Sequence, residues 1–160
     1  LAASGRLDTS FGGKTLPLRN RQFVFNHTSE DHTTYESLRR AIYLPVIRNN
    51  LYTLFEQFDY PDPTMPTGTR SETVVAPQAL LLMNDPLVLD SAQALAKMTS
   101  QLEPSQRVRR IYSRCLGRAP SSDELQRDLA FVKRNISTSR DAWELLCQSV
   151  LVSNEFMYIQ

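Results

Sequence analysis

The sequence predicts a mainly α-helical fold: a helical bundle of about five to six helices, with an irregular N-terminal region and a small two-stranded β element. Three observations predict it. Val108, Ile111, Tyr112, Cys115 and Leu116 follow the i, i+3, i+4, i+7, i+8 spacing of one helix face. Stop and start signals sit back to back at Asn84-Asp85-Pro86 and again from Gly117 to Ser121. The first third instead carries Gly5, Gly12, Gly13 and Pro17 between short aromatic and β-branched runs. The 160 residues suit one domain, with residues 1–76 as the irregular part packed on a helical part at 77–160.

Taken in order, Gln22–Asn26 and Ala41–Ile47 have strand composition and form the expected ribbon. Pro45 has no N–H and confines its strand to an edge. Leu51, Leu54, Phe55 and Phe58 mark a short helix before Pro61 and Pro63, and residues 60–70 form a loop. A helix is expected from Pro77 to Met83, stopped by Asn84 in a left-handed conformation. Asp85 caps the next helix, whose stripe is Val88, Ala92, Leu95, Thr99 and Leu102. Pro104 marks the boundary before the helix that carries Val108, Ile111, Tyr112, Cys115 and Leu116, the third from Pro77 onward, and Gly117 ends it.

Ser121 with Glu124 forms a capping box, and Leu125, Leu129, Val132 and Ile136 form the stripe behind it. The last helix spans about Arg140 to Val152, with Trp143, Leu146, Cys147, Val150 and Leu151 inward. Cys115 and Cys147 fall on apolar faces and read as buried thiols, since two cysteines make neither a disulfide framework nor a zinc signature.

Composition narrows the function classes. With 41% hydrophobic and 22% charged residues the chain reads as a water-soluble globular domain. Its 18 basic and 17 acidic residues give a net charge of +1, which disfavours nucleic acid as a partner. The longest apolar run, Ala79–Met83, is far below the roughly 20 residues of a transmembrane helix. The chain opens at Leu1 without methionine and reads as part of something longer.

The candidate sites each have two readings. His27, Asp31 and His32, with Glu30 adjacent, are the candidate metal ligands; their spacing matches no common zinc motif, and the stretch has the composition of a solvated loop. Asp59 and Asp62 flank Tyr60-Pro61 as an acid–base pair would, or as turn and cap residues do. Arg48 and Asp59 are a candidate polar tie, and Arg70 joins them and Asp62 as a candidate interaction residue. Gly12-Gly13 is a turn without phosphate-loop context. Arg107, Arg109, Arg110 and Arg114 give the third helix a basic face, either an anion site or a solvated surface. No serine or cysteine has a motif of nucleophilic catalysis, and no cofactor is indicated.

RRAIYLPVIRNNL (39–51), FDYPDP (58–63), APQALLLMNDP (76–86), LGRAPSSDEL (116–125) and SNEFMYI (153–159) occur in order, preceded by ASGRLD and FGG. This string resembles the C-terminal domain of planctomycete surface proteins, the domain of unknown function 1553 family. Many members read Pro-Thr-Gln-Ala-Leu or Pro-Leu-Gln-Ala-Leu where this chain has Ala76-Pro77-Gln78-Ala79-Leu80. The resemblance implies a large exported parent, periplasmic or at the cell surface, with upstream domains of the same chain as partners and often a cytochrome c-like domain. It implies no catalytic residues. The expected role is a non-catalytic structural and interaction module, whose further partner is a cell-surface protein or carbohydrate. The alternative is a contribution to a site of the parent, for polysaccharide breakdown or haem-linked electron transfer.

Overall fold

The computed structural model describes residues 1–13, 37–46, 51–61, 65–66, 68, 76–137 and 140–158. They are mainly helical and fall into two compact units, Leu1–Arg6 with Leu82–Gln160, and Leu7–Leu81.

In the smaller unit the sequence turns on Arg39. Its backbone forms an isolated parallel bridge with Asp8, and the Asp8 N–H donates to the Leu38 carbonyl at 2.9 Å. Its guanidinium donates to the carbonyls of Ser10 and Gly12 and lies 3.8 Å from the centre of the Tyr43 ring. The Gly12 N–H in turn donates to the Tyr43 hydroxyl at 3.1 Å. Gly12 and Gly13 have φ of 75° and 83°, so the turn read from the glycine pair is present and needs residues without a Cβ.

The expected ribbon is corrected here. Ala41–Tyr43 is a 3₁₀ turn, closed by the Tyr43 and Leu44 N–H groups donating to Arg40 and Ala41 carbonyls. The turn brings Tyr43 to Gly12, and Pro45 supplies no amide for a ladder. The partner run Gln22–Asn26 lies outside the described residues.

Helix α1 (Thr53–Gln57) matches the short helix expected before the prolines. Phe58 caps it, and Asp59 follows with a φ of 53°, the only positive φ of a non-glycine residue among those described. The Tyr60 N–H then reaches back to the Phe55 carbonyl at 3.0 Å, and the two rings stack 4.9 Å apart. This is a Schellman end: a left-handed residue lets the chain fold back on the last turn, with an apolar contact over it. The buried Gln78 donates its side-chain N–H to the Gln57 carbonyl at 2.8 Å, satisfying another exposed acceptor of α1.

Helix α2 (Ala76–Asn84) starts one residue before Pro77. Asn84 is its last residue and is not left-handed. The break is made instead by Asp85, extended at φ −66° and ψ 127°, while Gln148 donates to the Met83 carbonyl at 2.7 Å. Asp85 then caps α3 (Pro86–Met98) by accepting from the Leu87 N–H, as the sequence predicts.

The helical unit continues with α4 (Pro104–Cys115), α5 (Ser122–Arg134), α6 (Ala142–Leu151) and α7 (Asn154–Met157). Helix α6 packs against α3, α4, α5 and α7. Ala92, Leu95, Val108, Ile111, Tyr112, Val132, Leu146, Cys147, Val150 and Leu151 form one core, close to the predicted stripes. The differences sit at stripe ends. Leu102 and Ile136 are exposed because α3 stops at Met98 and α5 at Arg134, so neither residue continues its helix face. Cys147 is fully buried and burial pushes its thiol up to about 12; Cys115 is half-buried and raised to about 11 by the same cause.

The Schellman end predicts a backbone-specific response at position 59. Asp59→Asn, which tolerates the left-handed region, should leave thermal stability nearly unchanged, whereas Asp59→Val should lower it by about 1–2 kcal/mol. Equal melting curves for the two variants would show that the positive φ carries no cost there.

Candidate interaction site

Of the residues singled out from the sequence, His27, Glu30, Asp31, His32, Arg48, Asp62 and Arg70 lie outside the described residues. Asp59 is placed in the turn that ends α1. Among the described residues, no three His, Cys, Asp or Glu side chains gather closely enough to hold a metal ion. The basic face of α4 divides. Arg107 is half-buried and donates to the Ala96 carbonyl, whereas Arg109, Arg110 and Arg114 are exposed, Arg114 donating to the Ala3 carbonyl.

The densest polar cluster involves residues that sequence reasoning did not single out as a site. It begins with the helix signals it did read. Gly117, at φ 69°, follows Leu116, the residue that caps α4, and Ser121 accepts from the Glu124 N–H while Glu124 accepts from the Ser121 N–H. That capping box holds the Glu124 carboxylate beside Arg118. Arg118 forms two hydrogen bonds to Glu124, at 2.7 and 2.8 Å, and two to Glu155, at 2.6 and 2.8 Å. The planar guanidinium fits both carboxylates edge-on, a geometry that lysine cannot reproduce.

Arg118 also lies 5.4 Å from the centre of the Tyr112 ring. At its hydroxyl Tyr112 donates its proton to the buried Asp128 at 2.8 Å, and Arg127 donates to both Asp128 and the Tyr112 oxygen at 3.0 Å. Burial first, then the hydrogen bond to Asp128, raises the Tyr112 pKa well above the ordinary tyrosine value. The signal for Asp128 was present: it sits three residues after Leu125 and four before Val132, on the face that turns inward. The Arg118–Glu155 pair has no such local signal, because 37 residues separate the partners.

A second polar feature is a groove of about 750 Å³ beside α3, lined chiefly by Arg6, Asp90, Lys97, Arg107, Asp141 and Glu144. Its charges balance, three of each sign, and several are already engaged. Arg6 pairs with Asp90 at 3.0 Å. Asp141 caps α6 by accepting from the Trp143 N–H at 2.9 Å. Arg107 donates to the Ala96 carbonyl at 2.9 Å and stacks 3.9 Å from the centre of the Trp143 ring, with its Nε buried. Burial lowers the Arg107 pKa, opposed by the charge of Asp141. The groove thus offers hydrogen-bonding groups of both kinds and no dominant field.

These features define a mainly helical domain whose charged motif residues hold its own joints. The chain belongs to the family described as PSD1, protein of unknown function (DUF1553), whose model matches residues 1–132. No curated protein and no solved structure matches the chain. The match ends inside α5, so Glu155 lies beyond it.

Two outcomes follow from the polar cluster. Tyr112→Phe leaves a buried Asp128 oxygen without its donor and should lower stability by about 1–3 kcal/mol in chemical denaturation; an unchanged midpoint would mean that Arg127 alone satisfies the carboxylate. The second concerns acid. The Arg118 guanidinium holds Glu124 down to about 2 and Glu155 below its ordinary value of 4.5, so both bind protons more weakly folded than unfolded. Their contribution is complete above the ordinary value and is lost as the pH falls from about 4.5 towards about 2. Arg118→Ala should flatten that part of the stability–pH curve.

Proposed function

We propose that this domain is a non-catalytic structural and interaction module of a large exported bacterial protein, periplasmic or at the cell surface. The observation that supports the reading is how the motif residues are used. Arg39 and Tyr43 hold the Gly12 turn, Gln78 caps α1, Asp85 caps α3, and Arg118 ties Glu124 to Glu155. Each of these groups has the chemistry of a catalytic or ligand-binding side chain, and each is engaged within the domain. Such a pattern suits a part whose task is to hold a shape that neighbours recognise.

On this reading the partners are the upstream domains of the same parent, with a cell-surface protein or carbohydrate as a further one. The exposed side of α3, with its balanced groove, is a suitable contact surface, since inter-domain interfaces are commonly polar. The test is made in the parent protein. Deleting the domain should lower the parent's thermal stability and the amount that reaches its final location. A parent that keeps both without the domain would overturn the proposal, as would an Arg118→Ala parent that loses a catalytic turnover while its stability is unchanged.

A further inference from the structure

Helix α7 differs from the other helices of its unit in how it is held. It has four residues, none of them buried, and a helix of that length is not stable on its own. Locally it has the Ser153 cap, whose oxygen accepts from the Phe156 N–H at 3.3 Å while its hydroxyl donates to the Val150 carbonyl at 2.7 Å, and the backbone bonds of its single turn, from the Met157 N–H to the Ser153 carbonyl and from the Tyr158 N–H to the Asn154 carbonyl. Among the described residues, the side chains of Phe156 and Glu155 attach it to the rest of the unit. Phe156 is half-buried against the core, and Glu155 is doubly bonded to Arg118.

The ion pair is open to solvent, with Arg118 at 39% and Glu155 at 43% side-chain exposure. An exposed pair is weak and is screened by salt. The core beneath is apolar and is not screened in this way. Glu124, also paired with Arg118, keeps the guanidinium in place through the capping box whether or not Glu155 is present. The receiving half of the contact is therefore built into the α4–α5 joint, and only the α7 half can leave.

We infer that α7 is a salt-sensitive strap, an element that detaches from the helical unit by losing the Glu155–Arg118 contact while α3 to α6 stay folded. Detachment exposes the seat of Phe156 and one edge of the Arg118 fork, so the strap governs access to an apolar patch next to a carboxylate-binding group.

Hydrogen exchange of the whole chain tests this. Between about 0.1 M and about 1 M sodium chloride the screening length falls from roughly 10 Å to roughly 3 Å. The amides of Phe156, Met157 and Tyr158 should then exchange about two- to fivefold faster, the range that an exposed pair supports, while those of Leu146 to Leu151 do not change. Glu155→Gln should give the fast rate already at low salt and remove the salt dependence. Glu103→Gln, which removes an exposed carboxylate at the start of α4, should leave α7 as it is. The inference is overturned if salt speeds α6 and α7 equally, if Glu155→Gln leaves the three amides protected, or if Glu103→Gln has the effect of Glu155→Gln.

Discussion

Helix α6 is the constraint on which the helical unit depends, because α3, α4, α5 and α7 all pack against it. Leu146, Cys147, Val150 and Leu151 present one apolar face in little more than a turn and a half, and all are buried. At about 25 cal/mol per Å² of apolar surface, burial of such a face outweighs any single polar contact in the unit. Burial is nondirectional, however, and sets neither the register nor the sense of the helices. Those are set by a few polar contacts at the helix ends. Gln148 reaches the Met83 carbonyl in the last turn of α2, just before α3 begins, and Arg107 bridges Ala96 near the end of α3 to Trp143. Together these contacts fix α3 and α6 antiparallel.

Much of this arrangement was legible in the sequence. Each helix of the unit except α7 appears as a stripe of apolar residues, and Asp85, Ser121 and Gly117 mark where the chain must stop or restart. These signals are readable because their causes are local: a cap bonds an amide two or three residues away, and a stripe repeats every turn. The boundaries that moved did so where a distant group replaced a local one. Asn84 had no need to turn left-handed once Gln148, 65 residues away, satisfied the Met83 carbonyl.

The polar cluster was legible only in halves. Glu124 was assigned to an amide, and it does accept one, but its remaining capacity goes to Arg118, which no local rule assigns. Asp128 lies within an apolar stripe, the one place where a carboxylate needs a partner, yet the identity of that partner depends on α4 lying beside α5. In the smaller unit the same holds for Arg39, which reads as one more basic residue until the Gly12 turn is placed under it. A motif string therefore carries two kinds of information. Its caps and turns declare themselves, whereas its charged residues acquire meaning in pairs.

Burial separates those pairs into two kinds with different consequences. Asp128 is nearly inaccessible, so its hydroxyl partner on Tyr112 is obligatory: water cannot replace it, and the geometry of α4 against α5 is held to a hydrogen bond's tolerance. Arg118 faces solvent, so water and ions compete for it at every moment, and its bonds to Glu155 exchange cheaply. Both meet Tyr112, Asp128 at its hydroxyl and Arg118 over its ring, the first a rigid contact and the second an adjustable one. An arrangement of this kind lets the outer element move while the inner joint keeps its register, because the energy that fixes the joint is not the energy that fastens the strap.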